Sequence, residues 1–357
     1  MMRNRTYIFL LATAAIFTAC DSTDVELYEG VNSHKVEALI NYDWSAVDTL
    51  EHQSSVNYTT TKPTKMEVYG DRIIKAWKWS NKKVAANAVT SDTTLQTGCY
   101  KFLTLNRNTK VFDYTEFDST ANQSTDRWNM KDLVLTYKTF AKNDLAVTSV
   151  MSNWTDHNAY STFVRNDLAP VYVDTIEIKK FDVDTSSTVA FTPQALTQHL
   201  RLTFKIKKDF TARTQFRINS VKTEIAGIPA VIYPYNNKVD VTKTYKMVKA
   251  MNIATKNGGT TDSYENDSLI CSVDIDVAGI IHGESVNNTT GPGIMQVVMY
   301  TTASSAPIQC RINLYNALRN SQIMRYENGT NYAYQNKKYA IINTGVTLKV
   351  SKNGVSK

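Results

Sequence analysis

The chain has 357 residues, of which 42% are hydrophobic and 20% charged, and a formal net charge of +7 at pH 7. This length suggests two domains, at roughly 100 to 200 residues each. The basic excess is weak and spread along the chain, and its densest cluster, K-I-K-K at residues 205–208, alternates with apolar residues like the solvent face of a strand. This charge pattern argues against nucleic acid as a partner.

An apolar segment, residues 7–19, follows Arg3 and Arg5 and ends in small residues. A positive start, an apolar core and small residues in that order are typical of a secretory signal peptide. As a helix the segment would span only ~20 Å, which is shorter than a bilayer crossing requires. We therefore predict that residues 1–19 are removed, which lowers the formal net charge from +7 to +5.

The four residues that end with Cys20, F-T-A-C, resemble the lipobox of bacterial lipoproteins. In a lipobox, cleavage before the cysteine is coupled to attachment of diacylglycerol to its sulfur and to acylation of the new amino group. We predict that Cys20 is lipidated and tethers the protein, since two or three acyl chains hold at a membrane where one does not. The alternatives are an ordinary signal peptide with a cysteine at the cut, or a buried thiol.

The segment after this cysteine, D-S-T-D-V-E-L-Y-E-G, has four acidic residues and no basic one. It is too polar to pack and suits a solvated linker, which we assign to residues 20–34. It resembles the acidic tract that directs lipoproteins of Bacteroidales-type bacteria to the outer face of the outer membrane, and a plain linker is the alternative. We expect a lipid-anchored, surface-exposed protein of the cell outer membrane.

Short strands separated by turn-forming residues fill the next part of the chain. Residues 35–44, K-V-E-A-L-I-N-Y-D-W, alternate between apolar and polar side chains except at Leu39, as a half-buried strand does. Further strand-like runs are KMEVYG, RIIKAWKWS, GCYKFLTLN, KVFDYTEF and DLVLTYKTF. Their spacing, with Pro, Gly and Asn between them, is typical of an all-β sandwich.

A second set of strands begins after residue 170. The clearest is HLRLTFKIKK, with apolar side chains at every second position from Leu200 to Ile206. Further strands are predicted at FRINSVKTEI, YKMVKAM, LICSVDIDV, IMQVVMYTT, IQCRINLYN and YAIINTGVTLKV. Two β-sandwich domains are therefore expected.

Helix is scarce in this pattern. The best candidate is TPQALTQHL, where Thr192 would cap the helix and Pro193 would occupy its first turn. We place the boundary between the domains within residues 165–185 and assign the N-terminal sandwich to residues 35–175 and the C-terminal sandwich to residues 176–357.

The first strand ending in Asp43 and Trp44, the later GCYKFLTLN, and VAFTPQALTQHLRLTFKI followed by EIAGIPAVI are similar in their order to the fimbrillin superfamily of Bacteroidales type V pili. Within it, the chain most resembles the lipoprotein anchor or accessory subunits. The resemblance covers nearly the whole chain and implies two tandem transthyretin-like β-sandwich domains behind a lipobox. It also implies other fimbrial subunits as partners, assembly by β-strand addition, and no catalysis.

In that superfamily, polymerising subunits are matured by an arginine-directed protease that removes an early strand. Here no arginine occurs between Cys20 and Arg72, which favours a subunit that stays lipidated and uncut. A lysine-directed cut at Lys35 would weaken this inference. The C-terminal residues 343–357 either donate a strand to another subunit or complete their own sheet.

The usual catalytic signatures do not occur: there is no G-x-S-x-G, no H-E-x-x-H, and no P-loop or Rossmann glycine pattern. We predict no metal site and no cofactor, because Cys99, Cys271 and Cys310 stand singly, without a histidine at ligand spacing. These three are expected to be free thiols, or Cys271 and Cys310 pair if their strands are neighbours. Asp274 and Asp276 are predicted on a solvated strand face, although two glycosidase carboxylates would meet only in the fold.

Two predictions concern the molecular surface. Asp-Ser and Asp-Thr pairs resemble the O-glycosylation sequon of Bacteroidales, with candidate acceptors Ser22, Thr49, Thr93, Ser119 and Thr175. The alternative function is a glycan-binding lipoprotein of a polysaccharide-uptake system, with a stacking platform drawn from Trp77, Trp79, Trp128 and Trp154. Burial of these tryptophans in the core would remove that support. The many Tyr, Asn and Thr residues suit an extracellular surface that binds host protein or glycan.

Overall fold

The computed structural model describes residues 35–45, 62–72, 75–83, 90–96, 98–115, 130–140, 163–164, 170–181, 188–209, 215–321, 324–327, 331–334, 339–351 and 354–356. In this part of the chain almost all regular structure is β-strand, and the sheets stack in sandwich-like layers. The predicted all-β sandwich class is confirmed.

The first nine strands are β1 (Lys35–Tyr42), β2 (Lys65–Arg72), β3 (Lys75–Lys83), β4 (Thr90–Gln96), β5 (Gly98–Leu105), β6 (Phe112–Thr115), β7 (Val134–Tyr137), β8 (Tyr172–Phe181) and β9 (Thr188–Phe191). A short 3-10 turn, Met130–Asp132, precedes β7. Of these nine, β4 and β9 were not predicted, and β8 lies in the boundary region of residues 165–185, which the sequence leaves open between a linker and a strand. Strand β4, T-S-D-T-T-L-Q, lacks the apolar alternation that marks a strand.

The remaining strands are β10 (Gln194–Ala195), β11 (Gln198–Lys208), β12 (Ile218–Pro229), β13 (Val231–Tyr233), β14 (Lys238–Val239), β15 (Thr244–Thr255), β16 (Ser268–Val277), β17 (Ile294–Thr301), β18 (Ile308–Asn313), β19 (Met324–Glu327), β20 (Asn331–Tyr334), β21 (Tyr339–Ser351) and β22 (Gly354–Ser356). One α-helix, α1, spans Tyr315–Ser321.

The chain divides into two compact units, each built from several segments. Unit 1 takes its described residues from Met1–Asp43, Thr64–Thr104 and Thr175–Thr192, and unit 2 takes them from Trp44–Pro63, Leu105–Asp174 and Pro193–Lys357. The predicted contiguous domains, 35–175 and 176–357, stay a prediction.

In unit 1, β1 lies between β4 and β9, antiparallel to β4 and parallel to β9. A second sheet carries β8, β5, β2 and β3 in that order. At the step from Ala38 to Leu39, where the predicted alternation fails, β4 inserts one extra residue, Asp92, into the pairing. A β-bulge of this kind bends and twists the strand pair. Phe102 and Phe191 are fully buried in this unit.

Unit 2 contains an eight-stranded sheet with the order β18–β17–β12–β15–β16–β11–β21–β22 and a six-stranded sheet with the order β19–β20–β14–β13–β7–β6. Strand β11 is the predicted strand of residues 199–208 extended by one residue, and its inward side chains are buried at every second position from Leu200 to Ile206. Strand β21 runs parallel to β11, and β16 runs antiparallel to it on the other side. The eight-stranded sheet is therefore mixed.

The predicted helix from Thr192 is wrong. Gln194–Ala195 form β10, which pairs with the start of β8. The amides of Leu196 and Thr197 both donate to the carbonyl of Val171, at 2.6 and 3.4 Å. Pairing with this distant strand satisfies the backbone groups that a helix would have paired internally, so the tertiary context overrides local propensity.

Helix α1 lies where the sequence indicated the end of a strand. Strand β18 stops at Asn313, whose Oδ1 accepts the amide hydrogen of Tyr315 at 2.8 Å. This interaction caps the helix N-terminus. Leu318 is the buried side chain of the helix, and Arg319 lies in its last turn, where a cation is favourable.

Strand β12 contains a β-bulge at Gly227, whose φ is +105°. A Cβ at this position would clash with the carbonyl oxygen of Ile281 and would lie 2.8 Å from the amide nitrogen of Gly293. Ile281 donates its amide to the Gly227 carbonyl at 2.8 Å, and Gly293 donates to the carbonyl of Ala226 at 2.9 Å. Glycine is required where three backbone segments approach this closely.

Candidate functional site

The first strand, β1, is held at the centre of its sheet. Tyr42 is buried, stacks on Phe191 with ring centroids 5.4 Å apart, and shares a hydrogen bond of 3.0 Å with Thr104 Oγ1. The amide of Asp43 donates to the carbonyl of Phe191 at 2.8 Å. Burial raises the pKa of Tyr42, and the hydrogen bond with Thr104 opposes that rise. Removal of β1 would separate β4 from β9 and expose the ring of Phe191.

The long C-terminal strand, β21, completes a sheet of its own chain. It pairs with β11 over most of its length, and with β22 only from Lys349 to Ser351. In the described part of the chain, no strand pairs with the outer edge of β21 between residues 339 and 348. That edge is interrupted near Gly345, which has φ +69° and donates its amide to Asn343 Oδ1 at 3.0 Å. Bulges limit, but do not abolish, the pairing of an edge with another strand.

The strand face that carries Asp274 and Asp276 holds a charge network. His199 Nδ1 lies 2.9 Å from Asp276 Oδ1, and both side chains are buried. The guanidinium of Arg201 donates two hydrogen bonds to Asp274, at 2.6 and 2.8 Å. The prediction of a solvated face is wrong for Asp276, because its cross-strand partner His199 is buried with it. Both carboxylates contact basic side chains of the neighbouring strand. These contacts favour a role in pairing β11 with β16 over a role in acid–base catalysis.

Tyr137 borders this network. Its hydroxyl oxygen accepts the amide hydrogen of Ala278 at 2.9 Å. Burial raises the pKa of Tyr137, the hydrogen bond from Ala278 opposes the rise, and the negative charge of Asp276 adds to it. The phenol therefore stays neutral at physiological pH.

The basic run at residues 205–208 is only partly a solvent face. Lys205 and Lys207 are exposed as predicted, but the prediction is wrong for Lys208, whose side chain is fully buried. The Lys208 ammonium donates to both carboxylate oxygens of Asp262, at 2.9 Å each, and to the carbonyl of Ser263 at 2.8 Å. The alternation in β11 points Lys208 inward, and the buried Asp262 supplies its counter-charge.

A cleft of 260 Å³ lies against the eight-stranded sheet in unit 2. Strands β12, β15, β17 and β18 form its floor, and the loop of residues 289–292 borders it. Asn313 ties down the start of this loop, since its amide group donates to the carbonyls of Ser285, Val286 and Asn288 at 2.9 to 3.0 Å. No sequence pattern predicted this cleft, because its residues come from four separate strands.

The structure describes only some of the predicted site residues. Thr175 is exposed on β8, as an acceptor for a surface modification must be. Thr93 lies on β4, and Trp77 and Trp79 lie on β3, where the backbone pairing alone is described. The remaining predicted residues lie outside the described part of the chain: Cys20, Ser22, Thr49, Ser119, Trp128 and Trp154. The lipid, glycosylation and stacking assignments stay predictions.

The cysteines that the structure describes are free thiols. Cys271 is buried, Cys99 and Cys310 are half-buried, and the conditional pair of Cys271 with Cys310 is not formed. Burial raises the pKa of Cys271 to about 12, with a further contribution from the charge of Asp262. Within the described ranges no group of three or more His, Cys, Asp or Glu side chains is arranged to hold a metal ion, and no helix is long and apolar enough to cross a membrane.

The sequence matches no protein-family model and no curated protein. Among solved structures, the chain is similar to a candidate adhesin from Bacteroides thetaiotaomicron, at 10% identity over 92% of this chain and 96% of that one, with a TM-score of 0.49. A candidate adhesin from Bacteroides ovatus matches at 10% identity over 80% and 85% of the two chains, with a TM-score of 0.48. The fimbrial anchor protein Mfa2 from Porphyromonas gingivalis matches at 9% identity over 89% and 91%, with a TM-score of 0.40. At these identities and TM-scores the comparisons do not assign the chain to a family.

Proposed function

We propose that this protein is a surface-exposed outer-membrane lipoprotein, tethered through Cys20, which serves as an anchor or accessory subunit of a fimbria-like polymer. It assembles with other subunits by β-strand addition and performs no catalysis. The lipobox-like F-T-A-C and the acidic linker of residues 20–34 support the tether. The all-β architecture supports a structural role.

The absence of an early arginine is what favours an anchor over a polymerising subunit. A subunit that is cut to open a groove must give up its first strand. Here β1 pairs on both sides, and its Tyr42 is buried against Phe191. No arginine occurs between Cys20 and Arg72 at which an arginine-directed protease would act. Without such a cut, β1 and the lipid would stay on the chain, as an anchor or terminal subunit requires.

The first test is the intact mass and N-terminus of the protein extracted from outer membranes of its native bacterium, beside a Cys20→Ala variant. We expect one species that begins at an acylated Cys20, and release of the variant together with its polymer into the medium. A species that lacks the lipid and begins after an internal Lys or Arg would contradict the anchor role and indicate a polymerising subunit.

Strand addition is tested separately by placing a photo-crosslinking amino acid at Thr347, an exposed residue of β21 whose outer edge is not paired with any strand that the structure describes. Ile270 is the matched control, because it is exposed on β16 and pairs with Lys205 on one side and Ala254 on the other. Crosslinks to a fimbrial subunit at Thr347 and not at Ile270 are expected. Equal crosslinking at the two positions would argue against β21 as the accepting edge.

A further inference from the structure

A half-buried arginine in unit 2 has no counter-charge in the described part of the chain. Arg217 lies directly before β12, and its Cζ is 5.0 Å from the ring centroid of Tyr264. Its guanidinium makes no ion pair and no hydrogen bond with any residue that the structure describes, and its Nε is buried without an acceptor. Arg201, by contrast, is paired with Asp274. A cation that has given up water without gaining an anion is costly.

The backbone holds Arg217 and Tyr264 in fixed positions. The amide of Arg217 donates to Thr302 Oγ1, and the amide of Thr302 donates to the Arg217 carbonyl, both at 2.9 Å. The buried ammonium of Lys208 donates to the carbonyl directly before Arg217, at 3.3 Å. The same ammonium donates to the carbonyl of Ser263, directly before Tyr264, at 2.8 Å. Because both residues are positioned before a ligand arrives, binding to them would cost little ordering entropy.

The groups that remain open around Arg217 match a carboxylate. The terminal nitrogens of the guanidinium are not buried, and Tyr264 is 42% exposed beside them. Thr302 is exposed, and its hydroxyl donates to no residue that the structure describes. A guanidinium is a planar fork that binds a carboxylate through two parallel hydrogen bonds, and a hydroxyl can add a third. Arginine and tyrosine are also enriched among the residues that dominate protein interfaces.

The loop that carries Tyr264 limits the charge of the ligand. Glu265 and Asp267 follow Tyr264 at exposed positions. Two negative charges close to a single guanidinium disfavour a phosphate or another dianion, and they favour a carboxylate that has a basic neighbour. We propose that Arg217, Tyr264 and Thr302 form a docking point on unit 2 for one carboxylate side chain of a protein partner. This proposal depends neither on the fimbrial role nor on the edge of β21.

The test is an NMR titration of the full mature chain carrying Cys20→Ala and labelled with nitrogen-15 arginine. The observed signal is the Nε–H group of Arg217, which burial protects from exchange with water and which Arg217→Lys identifies by its loss. The probe is the blocked peptide G-K-G-E-G-K-G, added to about 20 mM because a single contact of this kind binds weakly. The matched control peptide has Gln in place of Glu. We expect a saturable shift with the first peptide and none with the second.

Arg319 provides an internal control for the same titration. Its Cζ lies 5.2 Å from the ring centroid of Tyr315, so it forms the same kind of stacked pair. Its guanidinium already donates to the Tyr315 hydroxyl, and its signal should therefore not shift. Tyr264→Leu changes an exposed side chain and should weaken binding about two- to fivefold, because the ring no longer positions the guanidinium.

No shift at Arg217, or an equal shift with the Gln peptide, would overturn the proposal. So would an affinity that Tyr264→Leu leaves unchanged. Inorganic phosphate and sodium glucuronate are titrated in parallel, because they carry an anion on other carriers. Tighter binding of either one than of the Glu peptide would contradict a protein partner and indicate a phosphate or sugar ligand.

Discussion

Replacing Lys208 with Met tests the buried ion pair of unit 2. The lysine and Asp262 side chains are both fully buried, and the ammonium has four acceptors: two oxygens of Asp262, and the carbonyls of Ser263 and Phe216 at 2.8 and 3.3 Å. The methionine fills a similar volume but leaves the carboxylate without its counter-charge. Removing one partner of a buried pair typically costs about 3 to 5 kcal/mol.

The remaining contacts of Asp262 should keep the loss of stability near the lower end of that range. The carboxylate still accepts the amide of Ile218 at 2.7 Å and, weakly, the side-chain amide of Asn266 at 3.4 Å. We therefore expect Lys208→Met to lower the free energy of unfolding by about 3 kcal/mol. In the double variant Lys208→Met with Asp262→Asn no charge is buried, so the loss should be smaller than in Lys208→Met alone.

The assay is urea denaturation followed by circular dichroism and by tryptophan fluorescence, since two units need not unfold together. Lys207→Met is the matched control, because Lys207 is exposed one position away on β11, and it should change stability by less than about 0.5 kcal/mol. A loss below about 1 kcal/mol for Lys208→Met, or a double variant less stable than Lys208→Met, would refute the reasoning that the pair holds a buried charge.

Denaturation or labelling experiments can test three further predictions. Gly227→Ala should cost at least about 2 kcal/mol more than Gly258→Ala, since both positions have positive φ but only Gly227 has backbone in the way. The Cys271 thiol, with its pKa raised to about 12, should resist iodoacetamide at pH 8 until urea unfolds the chain. The thiol of the unfolded chain loses its proton at a lower pH than the buried thiol, so the free energy of unfolding should fall by about 1.4 kcal/mol per pH unit above ~8.5. Cys271→Val should abolish this part of the pH dependence. Arg201→Leu should destabilise more than Arg201→Leu combined with Asp274→Leu, which leaves no unpaired charge.

Much of the strand pattern was predictable because one side of most strands is buried and the other is not. In β11 the alternation from Leu200 to Ile206 identifies both the strand and its inward face. The single irregular position in β1, Leu39, coincides with a β-bulge. Strand β4 was not predictable, because T-S-D-T-T-L-Q has no apolar period, and it is recruited by pairing with β1. The capped helix α1 was missed because its cap, Asn313, also ends a well-patterned strand.

Alternation does not predict what covers the polar face of a strand. Asp276 lies on the face that alternation assigned to solvent, but it is buried with His199. Lys208 lies on the inner face of β11, although the basic run of residues 205–208 was assigned to solvent, and it is buried with Asp262. The partner lies 54 residues away for Lys208 and 77 residues away for Asp276. The cleft in unit 2 was missed because its lining depends on which strands are neighbours.

The charge pairs on β11 and β16 select the register between these two strands, which the apolar alternation alone does not. A shift of two residues between antiparallel strands keeps every apolar side chain on the inner face, so burial hardly distinguishes such registers. In the observed register His199 lies opposite Asp276 and Arg201 lies opposite Asp274. A shift of two in one direction would leave His199 opposite Ala278, and in the other would leave Arg201 opposite Ser272. Only the observed register pairs both bases with both acids, so these four residues set the register between β11 and β16. Strand β21, the proposed edge for assembly, is in turn paired with β11.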